Sequence, residues 1–232
     1  QRFSLPVVSI STDENGLFDY DNGIHVAGKD FDDWRAANPN ATDISQASAN
    51  YKRTGGNAEI PGNLTYLVNG NAVVNQTVRI RINGGATRTY PTKSLRIYGD
   101  QTLEHPFFGN AGLENFETLI LRNSGNDFFQ TYFRDALIHR INAHLNLATQ
   151  AYQPSVVTMN GEYWGMLNLR ERYDKDYFKN HFGVADGQLD FLESNGYEVQ
   201  EGDYLDYENM TWYLLDNSAA GQQNYNYIKT RM

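Results

Sequence analysis

The sequence predicts an α+β fold, rich in antiparallel sheet, with a central helix and further helices flanking it. Three observations carry this. Val78, Ile80 and Ile82 alternate with Arg79, Arg81 and Asn83, which gives a strand one apolar face. Asn160-Gly161, the preferred type I′ pair, separates two strand-like runs and marks a hairpin. Leu137, Ile138, Ile141 and Leu145 fall on one stripe at helical spacing.

The elements follow in order. Leu5-Pro6-Val7-Val8-Ser9-Ile10-Ser11 reads as a strand and Gly16-Leu17-Phe18-Asp19 as a turn. Residues 29–58 are polar, with Asn38-Pro39-Asn40 and Gly55-Gly56 as breakers, and are expected to be loop. From 59 to 122 the pattern is β: the alternating run at 78–82, then Gly84-Gly85, then strands over Lys93–Tyr98 and Glu117–Arg122. The spacing predicts a helix over 128–148. The hairpin joins Pro154–Met159 to a strand from Tyr163. A short helix from Asp174 to His181 follows, with Asp174 as N-cap. Tyr225, Ile228 and Met232 fit one face of a last helix. The organisation expected is a lead-in strand with loops over 1–58 and the main domain over 59–232.

Composition excludes several classes. Nineteen basic against 28 acidic residues give a net charge of −9, with no basic block, which argues against nucleic-acid binding. No cysteine is present, which rules out disulfides, iron–sulfur clusters and thiol catalysis. No apolar run approaches the ~18 residues that a spanning helix needs. The chain is rich in Asn (25) and Tyr (16), a bias common in secreted bacterial proteins.

Three charges break the apolar patterning. Lys93 shares a strand face with Leu95 and Ile97, and Glu171 shares one with Leu167 and Leu169. Arg134 falls near the middle of the stripe formed by Leu137, Ile138, Ile141 and Leu145. Burying an unpaired charge costs several kcal/mol, roughly, so the three are expected to converge. Two cations with one carboxylate leave a residual positive charge that suits a phosphate, and a strand lysine held by a glutamate is a known way to contact nucleotide phosphates. The competing reading is a structural Arg–carboxylate pair with Lys93 and Glu171 reaching solvent.

Other motifs carry less. Asp19-Tyr20-Asp21-Asn22-Gly23 has its glycine one position early for a calcium loop and reads as a turn. His139 and His144 lack the zinc-protease spacing. Phosphate-loop, dinucleotide and nucleophile-elbow glycine patterns are absent.

The run from Met159 through Asn160-Gly161-Glu162-Tyr163-Trp164-Gly165 to Arg172 resembles the signature of the CotH (spore-coat protein H) kinase family. Phe3–Ile10 with Gly16–Asp19, Arg81–Gly85 with Pro91–Arg96, Leu121-Arg122-Asn123 with Asp127 and Phe133-Arg134-Asp135, and Phe182–Glu193 resemble further family stretches in the same order. The resemblance implies an atypical protein kinase, the N-terminal portion of whose domain this chain would be, using ATP and a divalent metal (Mg or Mn). It implies Lys93 as the phosphate-contacting lysine, Glu171 as its strand carboxylate, Arg134 near the nucleotide, and Asp127 as a weaker carry-over. It also implies a secreted or cell-surface protein, its signal peptide removed, acting on a protein substrate or a surface partner. The family's catalytic and metal-binding aspartates belong to later stretches with no counterpart here, so no catalytic residue is assigned. The chain is expected to continue past Met232 and to be inactive alone. The alternative is a non-enzymatic surface, adhesion or structural module with a decayed kinase-like fold, for which Trp34, Trp164 and Trp212 are candidate contacts.

Overall fold

The computed structural model describes residues 3–109, 113–145, 147–194, 198–217 and 221–230. They form two compact units, Gln1–Arg172 and Tyr173–Met232. The fold is α+β with antiparallel sheets.

The first unit is a closed barrel of strands β1 (Val7–Thr12), β2 (Ile60–Val68), β3 (Asn71–Asn83), β4 (Ser94–Glu104), β5 (Asn115–Arg122), β6 (Tyr152–Met159) and β7 (Glu162–Glu171), in the spatial order β1-β2-β3-β4-β5-β7-β6. Every neighbour is antiparallel except β6, which closes on β1 in parallel with Val7 opposite Val156. Closure leaves no free sheet edge. It also ties β1 into the same barrel as the strands after residue 59, so the division between compact units falls after Arg172. The two-residue period then builds the core: Ile80 and Ile82 of β3, Leu95 and Ile97 of β4, Leu119 and Leu121 of β5 and Leu167 and Leu169 of β7 all point inward and are buried. Asn160 (φ 52°) and Gly161 (φ 85°) make the expected tight turn of the β6–β7 hairpin.

Three helical segments differ from expectation. Residues 14–18 form a short helix, α1 (Glu14–Phe18), capped by Asp13 accepting from the Asn15 amide. The stretch expected to be loop contains α2 (Gly28–Ala37), supported by an ion pair between Lys29 and Asp33 and by Arg53 paired with Asp30 at 2.8 Å. Its sequence shows little apolar periodicity because it buries no residue. The central helix, α3 (Arg134–Asn142), is shorter than expected and starts only after Tyr132 turns the chain at φ 68°. It buries Ala136 and leaves Leu137, Ile138 and Ile141 exposed, and Leu145, beyond its end, is exposed as well. Arg134 is exposed with them rather than set in a buried face. Ion pairs from Asp135 to Arg122 and Arg170 fix which face of α3 meets the barrel, and they override the apolar stripe.

The second unit holds α4 (Lys175–Phe182), a two-stranded sheet of β8 (Phe191–Glu193) and β9 (Glu198–Glu201), α5 (Leu205–Asp216) and α6 (Gln222–Lys229). Asp174 caps α4 as expected, accepting from the Tyr177 amide at 3.1 Å. Tyr213 of α5 stacks on Tyr227 of α6 at 4.0 Å and donates to Asn224 Oδ1 at 2.7 Å. Met232, assigned to the α6 face, lies outside the described residues.

Candidate functional site

Lys93 precedes β4 at one end of the barrel. Its Nζ donates to the Tyr90 carbonyl at 2.8 Å and lies over the Tyr51 ring, 4.6 Å from the centroid. The residue is 5% exposed, and burial pushes its pKa below the usual lysine value. Among the described residues no carboxylate comes within ion-pair distance of it. His25 belongs to the same end: burial lowers its pKa to about 4, and the Lys93 charge adds to the effect. The neutral ring sits edge-on to Trp164 at 5.1 Å and to Phe18 at 5.8 Å, and its Nε2 is buried with no hydrogen-bond partner. Trp164 thus packs against the core and is not a free aromatic contact.

Asp127 is held by a strapped loop between β5 and α3. Asn123 Oδ1 accepts from Ser94 Oγ at 2.9 Å, and Asn123 Nδ2 donates to the Thr92 carbonyl at 2.7 Å. Asn168 of β7 donates to Ser124 Oγ at 3.1 Å and to the Tyr132 carbonyl at 2.9 Å. These bonds hold Ser124 (φ 68°) and Tyr132 (φ 68°) in a left-handed conformation that costs such residues about 1 kcal/mol each or more. The loop brings the Asp127 carboxylate to the start of α3. There it accepts from Thr131 Oγ1 at 2.6 Å and from the Arg134 amide at 2.9 Å, with Arg134 Nη2 at 3.4 Å. The Thr131 hydroxyl, then the Arg134 and Thr131 amides and the Arg134 charge, lower its pKa to about 2, so it stays ionised.

Glu171 closes β7 and is buried, with Oε2 accepting from the Ala151 amide at 2.8 Å. The register explains why it does not pair with Lys93. Glu171 lies opposite Leu119, which lies opposite Ile97, so along β4 it is offset from Lys93 by roughly 13 Å of strand. The expected convergence of three charges therefore does not form. The structure brings Asp127 and Arg134 together, and binds Lys93 and Glu171 separately.

A second charged group escaped the sequence reading. Arg170 of β7 is 1% exposed, with Nη1 at 2.8 Å from Asp135 Oδ2 and Nη2 at 3.0 Å from His139 Nδ1. Asp135 also accepts from Arg122 Nε at 2.6 Å. The Gln150 amide donates to the same His139 nitrogen at 3.0 Å. With two donors aimed at Nδ1, the imidazole is neutral and carries its proton on Nε2, and burial followed by the Arg170 charge lowers its pKa. By alternation Arg170 belongs to the outer face, and the cover that α3 gives it is a tertiary fact with no local signal.

A match to the family described as CotH kinase protein covers residues 80–232. The chain belongs to the CotH kinase protein family. No curated protein matches it. The matched region begins within β3, so the barrel combines CotH-matched strands with β1 and β2 from outside the match. Family membership supports a kinase-like protein. Of the family-implied residues, Lys93 is the one whose surroundings suit an anion: a buried ammonium answered by a peptide carbonyl and an aromatic face, next to a buried imidazole nitrogen without a partner. No group of three or more His, Asp or Glu side chains among the described residues is arranged to hold a metal ion. Asp127, the weaker of the family-implied residues, accepts from Thr131 and from the Arg134 amide.

Proposed function

We propose that this chain supplies the nucleotide-phosphate side of a CotH-type protein kinase that moves the terminal phosphoryl group of ATP to a protein hydroxyl. The observation that carries the reading is Lys93, a buried cation at one end of the barrel with no carboxylate partner among the described residues. An ammonium so placed has a standing desolvation cost that an incoming phosphate oxygen offsets. Its role is to bind and orient the phosphates as a point charge, the part played by strand lysines in kinases. Bound ATP supplies the transferable phosphoryl group. Tyr51 and Tyr90 fix the lysine head, and Trp164 and Phe18 keep water from His25, so that the imidazole stays neutral beside it. Arg134 is exposed at the start of α3, where its guanidinium pairs with the buried Asp127 carboxylate at 3.4 Å. Among the described residues no three His, Asp or Glu side chains are arranged as a metal cage. The secreted or surface setting and a protein acceptor belong to the same proposal, supported by family membership and by the Asn- and Tyr-rich composition.

Fluorescence titration with an N-methylanthraniloyl ATP analogue tests the reading. Saturable binding that weakens at least tenfold in Lys93→Met is expected. Equal affinity in both proteins, or no binding with or without magnesium, overturns it.

A second reading rests on one specific observation. Kinase lysines are held by a glutamate, and here Glu171 bonds the Ala151 amide instead. That favours a non-enzymatic surface or structural module with a decayed kinase-like fold, the reading that an absence of nucleotide binding in the same titration would support.

A further inference from the structure

The outer face of β3 and β4 carries two arginines, Arg81 and Arg96, and the turn between the strands carries a third, Arg88. Arg81 and Arg96 are directly opposite each other in the strand register. Like charges in that relation repel, and sheets usually avoid or neutralise them. Arg88 follows in the turn after β3. Its Nε donates to the Gly84 carbonyl and its Nη1 to the carbonyls of Arg53 at 2.9 Å and Tyr51 at 3.3 Å. Arg96 donates through Nε and Nη2 to Asn83 Oδ1 at 3.1 and 2.7 Å. Two guanidinium groups are thus anchored on the consecutive residues Asn83 and Gly84, and the third projects from Arg81, two positions earlier. Tyr98 makes a common floor: Arg81 lies over its ring at 5.5 Å and Arg96 Nη1 reaches its hydroxyl at 3.3 Å.

These arginines lack what their neighbours have. Arg79, one step along the same face, is paired with Glu59 at 2.5 Å and Asp100 at 3.4 Å. Arg53, beside Arg88, is paired with Asp30 at 2.8 Å. Among the described residues no carboxylate lies within ion-pair distance of Arg81, Arg88 or Arg96. This holds in a chain with 28 acidic residues against 19 basic ones, where carboxylates are plentiful. Arg88 is nine-tenths buried, and it donates through Nε and Nη1 to backbone carbonyls, none of which balances its charge. Burial, and then the Arg81 and Arg96 charges, lower the Arg88 pKa below the usual guanidinium value.

We propose that Arg81, Arg88 and Arg96 form an oxyanion site on the outer face of the barrel that takes a phosphate-type dianion, either free phosphate or a phosphorylated side chain. The guanidinium fork matches tetrahedral oxyanions through paired N–H donors, and three forks converging from a strand pair and a turn suit a compact, multiply charged group. A single carboxylate neutralises one of the three; a dianion spans the pair and leaves Arg88 to complete it.

The test reads the arginine Nε–Hε resonances of the full chain by NMR while inorganic phosphate is added at constant ionic strength with chloride. Saturable shifts of Arg81, Arg88 and Arg96 are expected, with Arg79 unmoved as the neutralised control. A phosphoserine peptide and its unphosphorylated twin form the second arm. Binding of the phosphopeptide at least tenfold tighter than phosphate identifies a carried phosphate as the source, and response to inorganic phosphate alone identifies the free ion. Arg81→Gln and Arg96→Gln should each weaken the response at least tenfold, while Lys93→Met should keep it within twofold. That last variant separates this site from the nucleotide reading. Absence of shifts, shifts that chloride reproduces, equal binding of the unphosphorylated peptide, or loss of the response in Lys93→Met overturns the proposal.

Discussion

Arg170 and Lys93 are buried cations of the same barrel, yet they are answered differently. Arg170 meets the Asp135 carboxylate, which Arg122 also engages, and the neutral His139 ring. Lys93 meets a peptide carbonyl and the face of Tyr51. A buried charge with a carboxylate against it is a complete electrostatic unit, and removing either half is costly. A buried charge answered only by dipoles keeps an unmet demand for an anion. The Arg170 group therefore belongs to the architecture that holds α3 on the barrel, and the Lys93 end carries the proposed nucleotide contact.

Asp135→Ala removes the carboxylate from Arg170 and Arg122, and should lower stability by about 3 kcal/mol, the range for breaking a buried pair by one partner. Adding Arg170→Met to Asp135→Ala should recover much of the loss, because the uncompensated charge is then gone. Urea unfolding of the single and double variants measures both. A loss below ~1 kcal/mol in Asp135→Ala would mean that Arg170 is not held by charge pairing.

The same contrast explains what could be read from the chain beforehand. Alternation at 78–82 and the Asn160-Gly161 turn are local signals, and both elements formed where expected. Closure of β6 on β1 depends on pairing between residues about 150 apart, which no local pattern encodes. Lys93 and Glu171 were legible as charges on an apolar face, and both are buried. Their partners were not legible, because a two-residue period fixes the face and leaves the offset along the strand to the register. The stripe of Leu and Ile predicts a buried face around Arg134, but Asp135 fixes the orientation of α3 by its ion pairs to Arg122 and Arg170. The Arg122–Asp135–Arg170 group gave no signal at all, since Arg170 alternates to the outer face and its cover is supplied by a helix distant in sequence.

An intermediate effect sharpens the picture of the Lys93 end. His25 titrates near 4 in the folded protein against about 6.5 in the unfolded chain. The depressed value means that the unfolded state binds the extra proton first. Stability should therefore fall as pH drops from about 6.5 to about 4, by on the order of 2 kcal/mol, and this contribution should level off below 4. His25→Phe keeps the aromatic contacts to Trp164 and Phe18 and should flatten the dependence in that window. Asp127, whose pKa is about 2, loses its contribution only at lower pH, between its unfolded value near 3.9 and about 2, so the two windows are separable. Chemical unfolding at half-unit pH steps checks this; an unchanged slope in His25→Phe would remove the imidazole from the account.

The smallest effect on stability tests the second half of the comparison. If Lys93 has an unmet charge, Lys93→Met should leave stability unchanged or raise it by about 1 kcal/mol, because an apolar chain of similar length has no ammonium to desolvate. The gain should depend on pH in a defined direction. Burial lowers the folded pKa of Lys93, so the wild-type penalty is complete below that value and is relieved as pH rises toward the unfolded value near 10.4. The advantage of Lys93→Met should accordingly be greatest near neutral pH and shrink toward pH 10. A structural lysine would behave in the opposite way, with the variant losing stability at neutral pH. A destabilised Lys93→Met with unaltered nucleotide binding would place Lys93 beside Arg170 as architecture, and the contrast between the two ends of the barrel would disappear.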